Sequence, residues 1–132
     1  MNKHQETIER NAKLRKKKEV QKFIDLLHGR DIFYRDKVMK LHAGFYVKYN
    51  NLVLTIFDPQ DGPFANITVN IEELPADEFA VDVNNFPDAL GILVENKIAE
   101  YAGKQLRSGY CIYPVYRLLL DSERRSYSEK TV

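Results

Sequence analysis

No stretch of this sequence approaches the roughly 20 consecutive apolar residues that a membrane-crossing helix requires. The opening residues, MNKHQETIERNAKLRKKK, also lack the apolar centre of a secretory signal. Tryptophan is absent and cysteine occurs once, so no internal disulfide can form, in keeping with a reducing compartment. There is no zinc-ligand spacing, phosphate-cradling glycine loop or nucleophile elbow. The three histidines, His4, His28 and His42, group in sequence with neither a serine nor a cysteine. These absences set the expectation of a soluble cytoplasmic protein that is no enzyme, needs no cofactor and has no membrane partner.

What is present is an ordinary globular composition in an uneven arrangement. The 132 residues are 44% hydrophobic and 30% charged, enough for one domain with a two-layer core. The net charge of +1 hides a segregation along the chain. Residues 1–50 carry 13 Lys/Arg against 6 Asp/Glu, residues 51–103 carry 1 against 10, and residues 104–132 carry 6 against 3. That layout implies either one face suited to polyanions and another to basic partners, or halves of the chain that attract each other.

Apolar residues at Ile8, Ala12, Val20, Phe23, Ile24 and Leu27 have helical spacing and predict a helix over residues 5–27, polar in its first half and closed at Gly29. FYRDKVMKLH is a weak strand signal. GFYVKYNNLVLTIFD reads as two strands joined at Asn50-Asn51, because Asn tolerates the left-handed backbone of a tight turn. FANITVNIEEL alternates with period two and predicts one half-buried strand, and FAVDV gives another. Residues 84–103, NNFPDALGILVENKIAEYAG, read as a second helix capped by Asn84 or Asn85, with Leu90, Leu93, Val94, Ile98 and Tyr101 near one face and Gly103 as its stop. The expected fold is therefore α+β: an N-terminal helix, a mostly antiparallel meandering sheet of four to six strands, and a second helix packed on one face. The expected layout is a basic helix over 1–30, one domain over 31–121 and a flexible tail over 122–132.

Candidate sites fall into three groups. Lys13, Arg15, Lys16, Lys17, Lys18 and Lys22 form a basic run on the first helix that can contact phosphates, or simply be a solvated face. Glu72, Glu73, Asp77, Glu78 and Asp82, with Asp88 nearby, are acidic residues beside strand ends. They can imitate a phosphate array for a basic partner, or keep a small sheet soluble. The final strand, RSGYCIYPVYRLLL, sets Tyr110, Ile112, Pro114 and Tyr116 against Cys111, Tyr113, Val115 and Arg117 by alternation, which makes Tyr110 and Tyr116 partner-binding candidates. Pro114 there predicts a sheet edge or a bulge. Weaker ideas are a metal held by Asp82, Asn84 and Asp88, for which helix capping is the simpler account, and acid-base chemistry by Asp58 and Asp61, which sit in turn sequence.

Four segments, NLVLTIFD, GPFANITVNI, AVDVNNFP and SGYCIYPVYRLLL, carry a likeness over about residues 45–121. In their order and spacing the chain resembles a family of small uncharacterised proteins, a domain of unknown function from conjugative elements, plasmids and prophages of Firmicutes. It departs from the family's Asp-Thr-Asn-Asn run and Trp-containing helix start, with Val83 for the Thr and FPDALG after it. The resemblance implies a mobile-element accessory protein of a bacterial cytoplasm. Joined to the bipolar charge, it gives the expectation of an anti-defence inhibitor, anti-CRISPR or anti-restriction, that binds a host defence nuclease or nucleoprotein complex. The alternative is a DNA- or RNA-binding accessory of conjugation or replication, acting through the basic helix.

Overall fold

The structure is a computed structural model that describes residues 3–119. Helix α1 (Lys3–Leu27) is 25 residues long, about 37 Å at 1.5 Å per residue. Only its second half carries an apolar stripe, and there Val20 and Leu27 are buried with Phe23 and Ile24 packed beside them. Gly29, at φ +85°, ends the helix in the left-handed conformation, and its N–H turns to the Leu41 carbonyl at 2.7 Å.

Eight strands follow in two antiparallel sheets. The first holds β1 (Asp31–Tyr34), β2 (Lys37–Phe45), β3 (Leu52–Asp58) and β4 (Gly62–Asn66), in that order. The second holds β5 (Thr68–Val69), β6 (Glu78–Val81), β7 (Ala99–Ser108) and β8 (Cys111–Leu118), in the order β5-β6-β8-β7. The α+β class and the antiparallel pairing agree with the sequence reading, but the strands form two four-stranded sheets where one sheet was expected. The cause is a corner at Ile67. Its N–H donates to Leu54 O in the first sheet at 2.9 Å, and its carbonyl accepts from Asp82 N beside the second sheet at 2.9 Å. Ile67 and Thr68 are consecutive and both buried, so the period-two pattern of FANITVNIEEL breaks where the chain passes from one sheet to the other.

The weak segment FYRDKVMKLH is a hairpin. Arg35 (φ 49°) and Asp36 (φ 61°) make its two-residue turn, a left-handed pair that the residue types do not advertise. The β2–β3 turn lies one residue earlier than expected, at Tyr49 (φ 71°) and Asn50 (φ 55°), and leaves Asn51 buried. Helix α2 (Ala89–Glu95) is much shorter than residues 84–103. Asp88, not Asn84 or Asn85, stands at its N-terminus. At the other end Asn96 donates to Ile92 O at 2.9 Å and exchanges two hydrogen bonds with the Phe33 backbone, and Lys97 turns the chain at φ 55°. Ile98 and Tyr101 therefore belong to the approach and start of β7, where Gly103 sits in a bulge between Tyr101 and Lys104.

The main core lies between the end of α1, the facing sides of both sheets and α2, and includes Leu41, Leu54, Ile56, Phe79, Leu93 and Tyr116. A smaller cluster of Leu74, Ala80 and Val115 lies apart from it, with Val69, Leu106 and Tyr113 packed on it. Each fully buried side chain of this kind contributes about 1.5–3 kcal/mol, against about 0.2–0.5 kcal/mol for an i,i+4 pair on a helix surface. The inner half of α1 is thus fixed by the core, and its outer half by far weaker local pairs. The tail expected over residues 122–132 lies outside the described residues.

Candidate nucleic-acid interface

Helical geometry, about 100° per residue, sorts the basic run. Taking Val20, Phe23, Ile24 and Leu27 as the inward direction, Arg15, Lys18 and Lys22 point away from the domain, with Lys17 on one flank at 5.8 Å from the Phe45 ring centre. Lys3 and Arg10, not picked out from the sequence, fall on the same flank as Lys17, and their seven-residue spacing is the signal that would have found them. Lys13 and Lys16 face the other way, into a groove of about 590 Å³ between α1 and the loop that carries Glu73, Leu74 and Pro75.

Lys16 is committed to holding the fold. Its ammonium donates to Tyr49 O at 2.7 Å and to Asn51 Oδ1 at 2.8 Å, and lies 3.7 Å from Glu73. Partial burial pushes its pKa down, and the Glu73 carboxylate opposes that shift. Asn51 in turn donates to Asn70 Oδ1 and Glu72 O, and accepts from Leu74 N. Residue 16 therefore leaves the set suited to phosphate contact, because it is the bolt between α1 and the two loops below it.

The acidic candidates are also largely engaged within the molecule. Glu73 meets Lys16, Glu78 meets Lys104 at 2.7 Å, and Asp82 accepts from the Asn85 side chain at 3.0 Å. Asp77 is half-buried, with its carbonyl bonded to Leu118 N, and Glu72 has an exposed side chain. The pairs Lys16–Glu73, Arg35–Asp88, Lys37–Asp58, Lys104–Glu78 and Arg117–Glu100 each join the acidic middle of the chain to a basic flank. Much of the charge segregation is thus spent on attraction between parts of one chain.

Tyr110 and Tyr116 part company. Tyr110 occupies the two-residue turn after Gly109 (φ 61°), between β7 and β8, and is fully exposed at 107%. Tyr116 is 9% exposed, against Tyr101 at 5.9 Å, so its ring belongs to the core and is not open to a partner. Strand β8 is interior in its sheet, yet β6 pairs with it only as far as Val115, so Pro114 has a strand neighbour on one side alone. Cys111 is half-buried and free, beside Tyr113, whose hydroxyl pKa is raised chiefly by that contact.

The remaining candidates do not converge. Asp58 and Asp61 line a cleft of about 270 Å³ with Tyr34, Arg35, Lys37 and Phe64. Asp58 Oδ1, however, accepts from Gln60 N at 2.9 Å and Asp61 N at 3.4 Å, which marks it as the carboxylate that ties the turn. Asp88 accepts from the Tyr34 hydroxyl at 2.6 Å and from Arg35 at 2.9 Å, away from Asp82 and its Asn85 partner. Among the described residues no group of three or more His, Cys, Asp or Glu is placed to hold a metal ion, and no helix is long and apolar enough to cross a membrane. His28 and His42, separate in sequence, come within 4.7 Å ring to ring, and His42 stacks on Phe57 at 4.4 Å. His28 Nδ1 accepts from Ala43 N, so the pair finishes the outer side of the first sheet.

Nothing among curated proteins or solved structures matches this chain. A family match does exist, and it starts within β2, leaving α1 and β1 outside it. Residues 40–132 match the family described as a domain of unknown function (DUF4313), and the chain belongs to that family.

Proposed function

We propose that this protein is a non-enzymatic accessory of a bacterial mobile genetic element, working in the cytoplasm and binding nucleic acid through the outer face of α1. One observation carries the reading. Arg15, Lys18 and Lys22 point away from the domain and Lys3, Arg10 and Lys17 line one flank beside them, while Glu9 faces the groove and Glu6 and Glu19 stand at the margins. Residues 3–15 are all exposed, so a polyanion can approach that side without meeting the sheets. The mobile-element setting rests on the family resemblance.

The test is fluorescence anisotropy with labelled 20-mer oligonucleotides over a salt series. Four phosphate contacts predict an affinity about 100-fold weaker at 200 mM than at 50 mM salt. Changing Arg15, Lys17, Lys18 and Lys22 together to Gln lowers both the affinity and the salt slope. Absence of binding at 50 mM salt overturns the proposal. Deleting residues 1–25 is the wrong control, because it strips Val20, Phe23 and Ile24 from the core, whereas the four Gln substitutions leave those residues in place.

A second reading, an inhibitor of a host defence nuclease, is favoured by Tyr110. An exposed aromatic at a hairpin tip, two residues before the 43% exposed Ile112, is the kind of anchor protein interfaces use. Loss of nuclease cleavage on adding the protein, restored by Tyr110→Ala, supports it, and unchanged cleavage removes it.

A further inference from the structure

We infer that the outer face of α1 is built to lie in the major groove of duplex DNA and to favour particular base pairs there; the inference rests on the nucleic-acid reading above. The argument is the order of residues across that face. Thr7, Asn11, Leu14 and Lys18 follow one another at spacings of four, three and four, and so form a nearly straight line along the helix. Lys3, Arg10 and Lys17 run parallel to it on one side at seven-residue spacing, and Arg15 and Lys22 do so on the other. Every one of these residues is exposed, and no acidic residue interrupts the face between Lys3 and Lys22.

Two rows of cations with a weakly charged line between them match a groove better than a flat backbone. A helix with its side chains is about 10–12 Å across, and the major groove is about 12 Å wide. A helix seated there has a phosphate strand on each side and base edges beneath it. The flanking rows then meet the two strands, and the central line meets the bases. Single-sided contact with one strand needs only one row.

The central residues have the chemistry for base edges. A side-chain amide such as that of Asn11 can bond adenine through N6 and N7 together, and an apolar side chain suits the thymine methyl. Leu14 is 51% exposed on the outermost side of a charged helix, where it contributes nothing to the core, and a thymine methyl gives it a partner. Thr7 donates its hydroxyl to Lys3 O at 2.9 Å, a bond made within the helix that leaves Asn11 as the chief polar reader. The domain lies behind the central line, on the side of Val20 and Leu27, and reaches this face only at its Lys17 edge, near the Phe45 ring, so the approach to the central line stays open. Deep, narrow major grooves in RNA duplexes exclude such a helix, which makes duplex DNA the committed ligand.

The full-length protein is tested against a randomised duplex DNA library by repeated selection and sequencing. Anisotropy follows on the enriched site, a scrambled duplex, the same sequence as single-stranded DNA, and the same sequence as duplex RNA, all at one salt concentration. The inference predicts an enriched site containing adenine and thymine, bound at least about 10-fold tighter than the single strand or the RNA duplex. It also predicts that Asn11→Ala cuts the preference for the enriched over the scrambled duplex by about 5- to 150-fold. Circular dichroism confirms that this exposed substitution leaves the fold intact. Equal affinity for RNA or single strands, no enriched site, or an Asn11→Ala effect shared equally by all duplexes overturns the inference. Salt-sensitive binding alongside any of those results leaves the broader nucleic-acid reading standing, whereas loss of all binding overturns both.

Discussion

Replacing Asn51 with alanine removes the junction that sets α1 against the rest of the molecule. The side chain is 3% exposed and makes four hydrogen bonds, to Lys16 Nζ, Leu74 N, Asn70 Oδ1 and Glu72 O, the full capacity of an amide with two donors and two acceptor sites. Leu74 N is buried and is left with no acceptor, at a cost of about 1–3 kcal/mol. The other three partners are only partly buried and can recover water, so each costs about 0.5 kcal/mol. The sum is about 3 kcal/mol, a large part of the ~5–15 kcal/mol that holds a domain together. With a urea m-value of about 2 kcal/mol/M, the unfolding midpoint falls by about 1.5 M. Lys16→Met keeps the stem and gives up the bonds to Tyr49 O and Asn51 together with the exposed pairing to Glu73, for a loss of about 1–2 kcal/mol. Because the two residues share one hydrogen bond, the double variant loses less than the sum, by about 1 kcal/mol. Urea titrations followed by circular dichroism measure all four chains. An Asn51→Ala midpoint within about 0.3 M of the parent, or strict additivity in the cycle, refutes the reasoning.

Two further predictions concern the turn at Asp58 and the tyrosines. The Asp58 carboxyl is held below its ordinary value first by the Gln60 N–H, then by the Asp61 N–H and the Lys37 ammonium. Its folded pKa lies below its unfolded one. Its stabilising contribution is therefore complete above about pH 4 and is lost as pH falls through the folded value. Asp58→Asn keeps a turn acceptor and cannot titrate, so its urea midpoint falls less steeply between pH 5 and pH 2.5 than that of the parent, and parallel profiles contradict the assignment. For the tyrosines, Tyr116→Ala costs about 3 kcal/mol in the same unfolding assay and Tyr110→Ala less than about 0.5 kcal/mol. Equal losses refute the separation of the two rings.

Periodicity was enough to read the elements whose residues announce one environment. The stripe Val20, Phe23, Ile24 and Leu27 and the strict in-out alternation of β3 are of that kind. It failed where a single residue serves two environments. Ile67 bonds to both sheets, so the strand that should have continued turns a corner. Ile98 and Tyr101 fit a helical face equally well, and only the Asn96 bonds to the Phe33 backbone, 63 residues away, end α2 at Glu95. The Arg35-Asp36 turn was hidden because its residues lack the Asn-Gly character that usually marks left-handed pairs. Charge failed for a related reason. A run of lysines in sequence does not reveal that Lys16 is turned inward to Asn51 while Lys18 is turned out, since the two are only two residues apart in sequence yet about 200° apart around the helix.

The boundary of the family match sharpens what α1 is for. The matched segment begins at residue 40, yet the core also requires Val20, Leu27 and Ile32 from before it. The first 39 residues therefore complete the folded unit, and deleting them exposes the inner side of the first sheet. Within α1 this burden falls on the second half alone, since every residue from Lys3 to Arg15 is exposed and none belongs to a core cluster. Substitution anywhere in the first half consequently leaves the fold intact, whereas in the second half that holds only for exposed positions such as Lys17, Lys18 and Lys22. Under the proposed function, the inner half of α1, locked by Asn51 and the core, is the anchor for a recognition surface on the outer half, which is left to solvent. On that proposal the residues that choose the ligand are the exposed ones between Lys3 and Lys18, and the domain behind them tolerates their exchange, whereas Lys16, bonded to Tyr49 O and Asn51, is not among them.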